Sequence, residues 1–127
     1  MARRMTGIAP WIVVPNGTEA LAFYKAAFGA VAVEHHEDAA GVVQVAQCFV
    51  GAADFWIQTD AESGPAPPGP RPLHMILSVD EPDVVFARAV AAGATVINPI
   101  DDAYGWRIGK IADPFGHVWE IGRRLDS

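Results

Sequence analysis

The residues able to do chemistry are sparse in this chain: four histidines, one cysteine and a scatter of carboxylates. His74 and Glu120 draw attention first. In a strand, successive side chains alternate between faces, so His74, Ile76 and Ser78 point one way and Met75, Leu77 and Val79 the other. In the same manner Val118 and Glu120 share a face opposite Trp119 and Ile121. Acid–base work could use Glu120 if its apolar strand raised the carboxyl pKa, with His74 as its partner. His35 and His36 are adjacent, so a regular strand sends them to opposite faces, and a solvated loop is expected there. His117 follows Gly116 in a turn that it is expected to brace. Nucleophilic chemistry has little support. Cys48 lies inside the apolar run Gln47-Cys48-Phe49-Val50, where a buried inert thiol is the default. Ser63 and Ser78 have no Gly-x-Ser-x-Gly elbow, and no glycine set forms a dinucleotide or phosphate loop.

These residues need elements to position them. Gly29-Ala30 and Gly93-Ala94 set up a weak internal repeat with an offset of 64 residues. Ahead of each glycine the apolar spacing predicts a helix, over 18–28 and 82–92. Thr18 is expected to cap the first helix, Pro82 to open the second, and the glycines to end both. A strand precedes each helix, Trp11–Val14 and Met75–Val79. Three follow each: Val31–Glu34, Val42–Val50 and Phe55–Thr59 in the first half, Thr95–Ile97, Arg107–Ile111 and Val118–Ile121 in the second. Trp56 and Trp119 take equivalent places in this reading, filling the core under the helices and facing away from Ile57 and Glu120.

Between the halves, residues 64–72 hold five of the ten prolines and read as an extended connector. The expected organisation is one domain over 1–127, with module one at 8–62, a Pro-rich linker at 63–72 and module two at 73–122. Neither half could bury much alone, so the two should pack together. Hydrophobic residues at 51% and a net charge of −6 exclude a disordered tail and leave no basic surface for nucleic acid. No apolar run approaches the ~20 residues of a membrane span. The start has no apolar segment after Arg3-Arg4, and a lone cysteine cannot form an intrachain disulfide, so a cytoplasmic setting is expected.

Two βαβββ modules of this length resemble the vicinal oxygen chelate superfamily, which includes glyoxalase I, bleomycin-resistance proteins and extradiol dioxygenases. The motifs Ala22-Phe23-Tyr24-Lys25-Ala26-Ala27-Phe28-Gly29-Ala30, Ala91-Ala92-Gly93-Ala94 and Asp113-Pro114-Phe115-Gly116-His117-Val118-Trp119-Glu120-Ile121 are similar to its PhnB-like branch. The resemblance implies an α+β fold, the glyoxalase/bleomycin-resistance/dioxygenase fold, whose sheets curl around a cleft. It also implies a homodimer.

Family metal ligands come from the first and last strands of each module. In the second module these positions match His74 and Glu120, which suit Zn, Ni, Mn or Fe. In the first module His74 falls on Pro10 under the offset, and Glu120 falls on Ile57 when Trp56 is matched to Trp119. Two of four ligands are therefore absent, and the expected cofactor is none or a loosely held divalent metal. The resemblance also puts the loop around Asp101–Gly105 at the cleft rim. There Tyr104 and Trp106 could stack on a ligand, with Arg107 near an anionic group, or could simply pack over the rim. Pro10, Ile12 and Ile57 would make the facing wall apolar. Two functions compete. One is a protein that binds or sequesters a hydrophobic or aromatic small molecule; the other is a metal-dependent lyase, isomerase or dioxygenase using His74 and Glu120.

Overall fold

The computed structural model describes residues 6–64 and 72–126, so most of the Pro-rich linker lies outside the described residues. Each half is a strand, a helix and three strands. The first has β1 (Trp11–Val14), α1 (Gly17–Phe28), β2 (Val31–Glu37), β3 (Val43–Val50) and β4 (Ala53–Thr59). The second has β5 (Met75–Ser78), α2 (Pro82–Ala92), β6 (Thr95–Ala103), β7 (Trp106–Ala112) and β8 (Val118–Arg124).

Each half forms its own four-stranded open sheet, ordered β1-β4-β3-β2 and β5-β8-β7-β6. The first strand of each half runs parallel to the last, and the other pairs are antiparallel. A helix crossover makes that parallel return possible. This is the mixed α+β architecture expected, with neither sheet closed.

Local chemistry explains most boundaries. α1 opens on Asn16, whose side chain accepts the Glu19 N–H, and not on Thr18. Thr18 instead accepts the Val43 N–H through its hydroxyl, tying the helix start to β3. At the other end Gly29 takes a φ of 71°, a left-handed conformation that glycine adopts without steric cost. Pro82 opens α2 as its fixed φ allows. β2 and β6 run further than the sequence indicates, because bulges carry both edge strands past irregular residues. His35 and His36 consequently stand in β2, exposed, and not in a loop. Asp101 and Asp102 stand in β6 for the same reason.

The two halves share one core. Phe23, Tyr24, Ala27 and Phe28 of α1 face inward, with Phe55, Ile57, Met75, Leu77, Trp119 and Ile121 from the two sheets. Rings from both halves meet there: Tyr24, Phe28 and Phe55 all lie within 5.6 Å, centroid to centroid, of Trp119. At the centre of this aromatic cluster is one carboxylate. Asp113 is only 4% exposed. Its Oδ2 accepts the Tyr24 hydroxyl at 2.5 Å and the Trp119 indole N–H at 3.0 Å. Its Oδ1 accepts the backbone N–H groups of Phe115 and His117, each at 2.9 Å. A buried charge is tolerable only when its oxygens are satisfied in this way. His117, in the same turn, reaches the carbonyl of Val13 in β1 at 2.7 Å, so its Nε2 carries the proton. The β7–β8 turn thus grips both α1 and β1 of the other half. No helix among the described residues is long and apolar enough to cross a membrane.

Removing the Tyr24 hydroxyl should leave Asp113 short of a donor in an apolar setting. Tyr24→Phe is expected to lower unfolding free energy by about 1.5–3 kcal/mol, measured by denaturant titration; an unchanged midpoint would contradict this role. Burial, and then the Asp113 charge, push the Tyr24 phenol well above its usual pKa, while burial moves the Cys48 thiol from 9.0 up to about 11. Both groups bind their protons more tightly folded than unfolded. Stability should therefore hold below pH 9 and fall as pH rises through the Cys48 window and beyond 10, and Tyr24→Phe should remove the upper part of that fall.

Candidate ligand site

Strand alternation sorts side chains between the helix-packed face and the open face of each sheet. In β5 the buried residues are Met75 and Leu77, leaving His74, Ile76 and Ser78 on the open side. In β8 Trp119 and Ile121 are buried while Glu120 is half-buried on the open side, opposite Ile76 of β5 and Lys110 of β7. His74 and Glu120 meet there, with Nδ1 and Oε2 3.5 Å apart and each side chain just over a quarter exposed. The two residues that the family resemblance and strand parity together set on one face are neighbours here.

The facing residues of the first half differ from those expected. β1 buries Ile12 and Val14 and turns out Trp11 and Val13. β4 buries Phe55 and Ile57 and turns out Asp54, Trp56 and Gln58. Ile12 and Ile57 therefore line the core beneath α1, not a ligand wall. The open wall is built from Trp11 and Trp56, which are direct partners in the parallel ladder. Their rings stack with centroids 5.9 Å apart and planes 16° from parallel. The Trp11 N–H is held by Gln58 Oε1 at 2.9 Å, which fixes the ring in place.

The structural correspondence between halves explains the difference. Phe55 and Trp119 both enter the core against Tyr24, and they stand 64 residues apart, the same offset as Gly29 and Gly93. Trp56 therefore corresponds to Glu120, and not to Trp119. Because Trp11 pairs with Trp56 as Ile76 pairs with Glu120, His74 corresponds to Ala9 and not to Pro10. Matching one tryptophan to the other slips the strand by one residue, which reverses every facing.

A pocket of about 580 Å³ opens where the starts of β1 and β5 adjoin. Pro10, Trp11 and Phe55 bound it from the first half, and Leu73, His74, Met75 and Trp119 from the second. Among the described residues its ionisable lining side chains are Asp54 and His74. A largely apolar cavity with few polar groups is the usual form of a small-molecule site.

The proposed rim residues lie elsewhere. Arg107 alternates onto the helix face of β7, where Asp83 at the start of α2 takes two bonds of 2.7 Å and Asp102 one of 2.9 Å. Those hydrogen bonds raise the guanidinium pKa and hold the Asp83 carboxyl below its usual value. Trp106 does face the open side, but its ladder partner is Arg124, four residues along β8 from Glu120, or about 13 Å. The Arg124 guanidinium lies over its ring at 5.5 Å. Tyr104 is fully exposed at the β6–β7 hairpin tip with a φ of 54°. None of the three is among the residues lining the pocket. Cys48 is buried in β3, as expected of an inert thiol.

With that geometry established, comparison with known proteins is informative. The family model of the glyoxalase/bleomycin resistance protein/dioxygenase superfamily matches residues 5–121. The chain belongs to that superfamily. Uncharacterised relatives from Mycobacterium bovis and Mycobacterium tuberculosis are each 32% identical over 124 residues. Those matches span 91% of this chain and 82% and 73%, respectively, of the relatives. The fold matches TioX from Micromonospora sp. ML1 with a TM-score of 0.73 at 22% identity, covering 94% of this chain and all of that one. It also matches the fosfomycin resistance protein FosX from Listeria monocytogenes, solved with Mn(II) and sulfate, with a TM-score of 0.68 at 15% identity. Coverage there is 94% of this chain and 93% of FosX. Members of this glyoxalase-type superfamily are thus known with a divalent metal, so the donor set here needs testing. Among the described residues no group of three or more His, Cys, Asp or Glu side chains converges on one point. His74 and Glu120 offer two donors, and Ala9 and Trp56 add none. Catalytic zinc sites ordinarily use three protein ligands, so the described residues of one chain do not by themselves fit such a metal centre.

Proposed function

We propose that this superfamily member binds a hydrophobic or aromatic small molecule in the pocket between its halves, sequestering it without metal chemistry. One observation carries the reading. On the open face, where the second half places a histidine and a carboxylate, the first half places Ala9 and a stacked tryptophan pair. Within one chain this leaves two donors, fewer than the three that a catalytic metal site ordinarily uses. Rigid indoles offer a large apolar surface at small entropic cost, which suits capture of a planar ligand. His74, with Glu120 beside it, supplies a polar edge that orients the ligand.

The competing reading is a lyase, isomerase or dioxygenase with a divalent metal held loosely by His74 and Glu120. The 3.5 Å approach of the two side chains favours it. The shortage of donors weighs against it.

The open faces also support a homodimer. Trp11, Val13, Val31, Val33 and Ile76 are exposed hydrophobics on two unclosed sheets. Apolar sheet surface and unpaired strand edges of this kind are normally covered. A two-fold pairing of modules would cover them and deepen the cleft.

Two measurements follow. For a ligand identified by a fluorescence screen of planar aromatics, Trp11→Ala should cost about 1–2 kcal/mol of affinity while Trp106→Ala costs nothing measurable. The opposite order would move the site to the β6–β7 hairpin. Equilibrium sedimentation at micromolar concentration should return twice 13.5 kDa; the monomer mass would reject the dimer.

A further inference from the structure

We propose that the pocket selects cationic ligands, an amine or related cation carried on an aromatic body, through Asp54 and the Trp11 ring that line it, Trp11 being held in place by its stack on Trp56. The inference rests on the ligand-binding reading above and names the chemical class that reading leaves open.

Asp54 lies two residues from Trp56 in β4 and on the same open face. It is half-buried and lines the pocket. Its Oδ2 accepts the Gln47 amide at 3.1 Å, which fixes the carboxylate, while Oδ1 takes no side-chain hydrogen bond from the described residues. Among the described residues no lysine or arginine lies within ion-pairing distance of it. A half-buried carboxylate with a spare oxygen is poised for a donor that the protein itself does not supply. The adjoining surface has the same preference. Indole faces carry negative quadrupole density and attract cations, and the effect grows when water is displaced. Gln58 already holds the Trp11 N–H, so its ring presents a face and not a donor. The remaining walls, Pro10, Phe55, Leu73 and Met75, suit an apolar ring system. Net charge of −6 adds a field that draws cations towards the molecule.

The shared chemistry is a planar apolar body with a positively charged substituent. A carboxylated or phosphorylated ligand would meet repulsion from Asp54, and a neutral one would leave the carboxylate desolvated without a partner.

Three probes of equal shape test the idea on the full chain: 2-naphthylmethylammonium, 2-naphthylmethanol and 2-naphthylacetate, titrated calorimetrically. The ammonium is expected to bind at least about tenfold more tightly than the alcohol, with the acetate weakest. Raising the salt from 0.1 to about 1 M should weaken the ammonium and leave the alcohol unchanged. Asp54→Asn should bring the ammonium and the alcohol to within about twofold while the alcohol keeps its wild-type affinity. Should that variant misfold, the salt series on the wild-type chain decides alone. Equal binding of ammonium and alcohol overturns the charge selectivity but leaves the binding site standing. Failure of all three probes to bind overturns both the selectivity and the ligand-binding reading.

Discussion

The molecule is organised around the carboxylate of Asp113. A charge at 4% exposure is costly unless every oxygen is engaged, and here four donors converge on it. Two come from its own turn and one from Trp119, six residues further on in β8. The fourth, Tyr24, comes from the helix of the other half. Breaking any of these contacts would leave an unpaid desolvation cost, so satisfying Asp113 requires α1 and the β7–β8 turn to dock in one arrangement. The His117 bond to Val13 adds β1 to the same assembly.

That docking dictates what is left for ligands. The aromatic residues of α1 fill the space against Phe55 and Trp119, so each sheet buries one face and turns the other outward. The open faces then carry whatever the alternate residues happen to be: His74, Ile76 and Glu120 on one sheet, Trp11, Asp54 and Trp56 on the other. Site and core are largely two sides of the same strands, and they meet at Phe55, Met75 and Trp119, which belong to the core and also line the pocket.

Much of this was legible in the sequence. The strand–helix–strand–strand–strand order and the glycine ends of both helices follow from spacing, and the His74–Glu120 pairing from the family resemblance with strand parity beside it. So does the burial of Cys48. The three motifs that carried the family resemblance were also visible, although their meaning was not: Tyr24 and Asp113 belong to one hydrogen-bonded knot, and no local pattern joins residues 89 positions apart. Facing in the first half was misread for a physical reason. β1 is apolar on both faces, so alternation of hydrophobic and polar residues could not orient it, whereas in β4 Asp54 and Gln58 flank Trp56 on the outer face, a signal that the match of Trp56 to Trp119 overrides. The identical Trp56 and Trp119 invited a match that slips the strand by one. Holding the 64-residue offset of the helix-ending glycines would have set Phe55 against Trp119 and revealed the tryptophan stack. Arg107 was misplaced because its partners, Asp83 and Asp102, lie on elements whose packing only the fold reveals.

The functional account follows from that corrected register. The two halves match in fold but not on their open faces: one carries a histidine and a carboxylate where the corresponding positions of the other carry alanine and tryptophan. The result favours recognition by stacking over chemistry at a metal. The most direct test is the metal content of the protein purified without added metal or chelator. The account predicts well under one transition metal per chain, on the order of 0.1 equivalents, because two donors hold such ions only weakly. One equivalent of Zn, Ni, Mn or Fe, lost on His74→Ala, would contradict it.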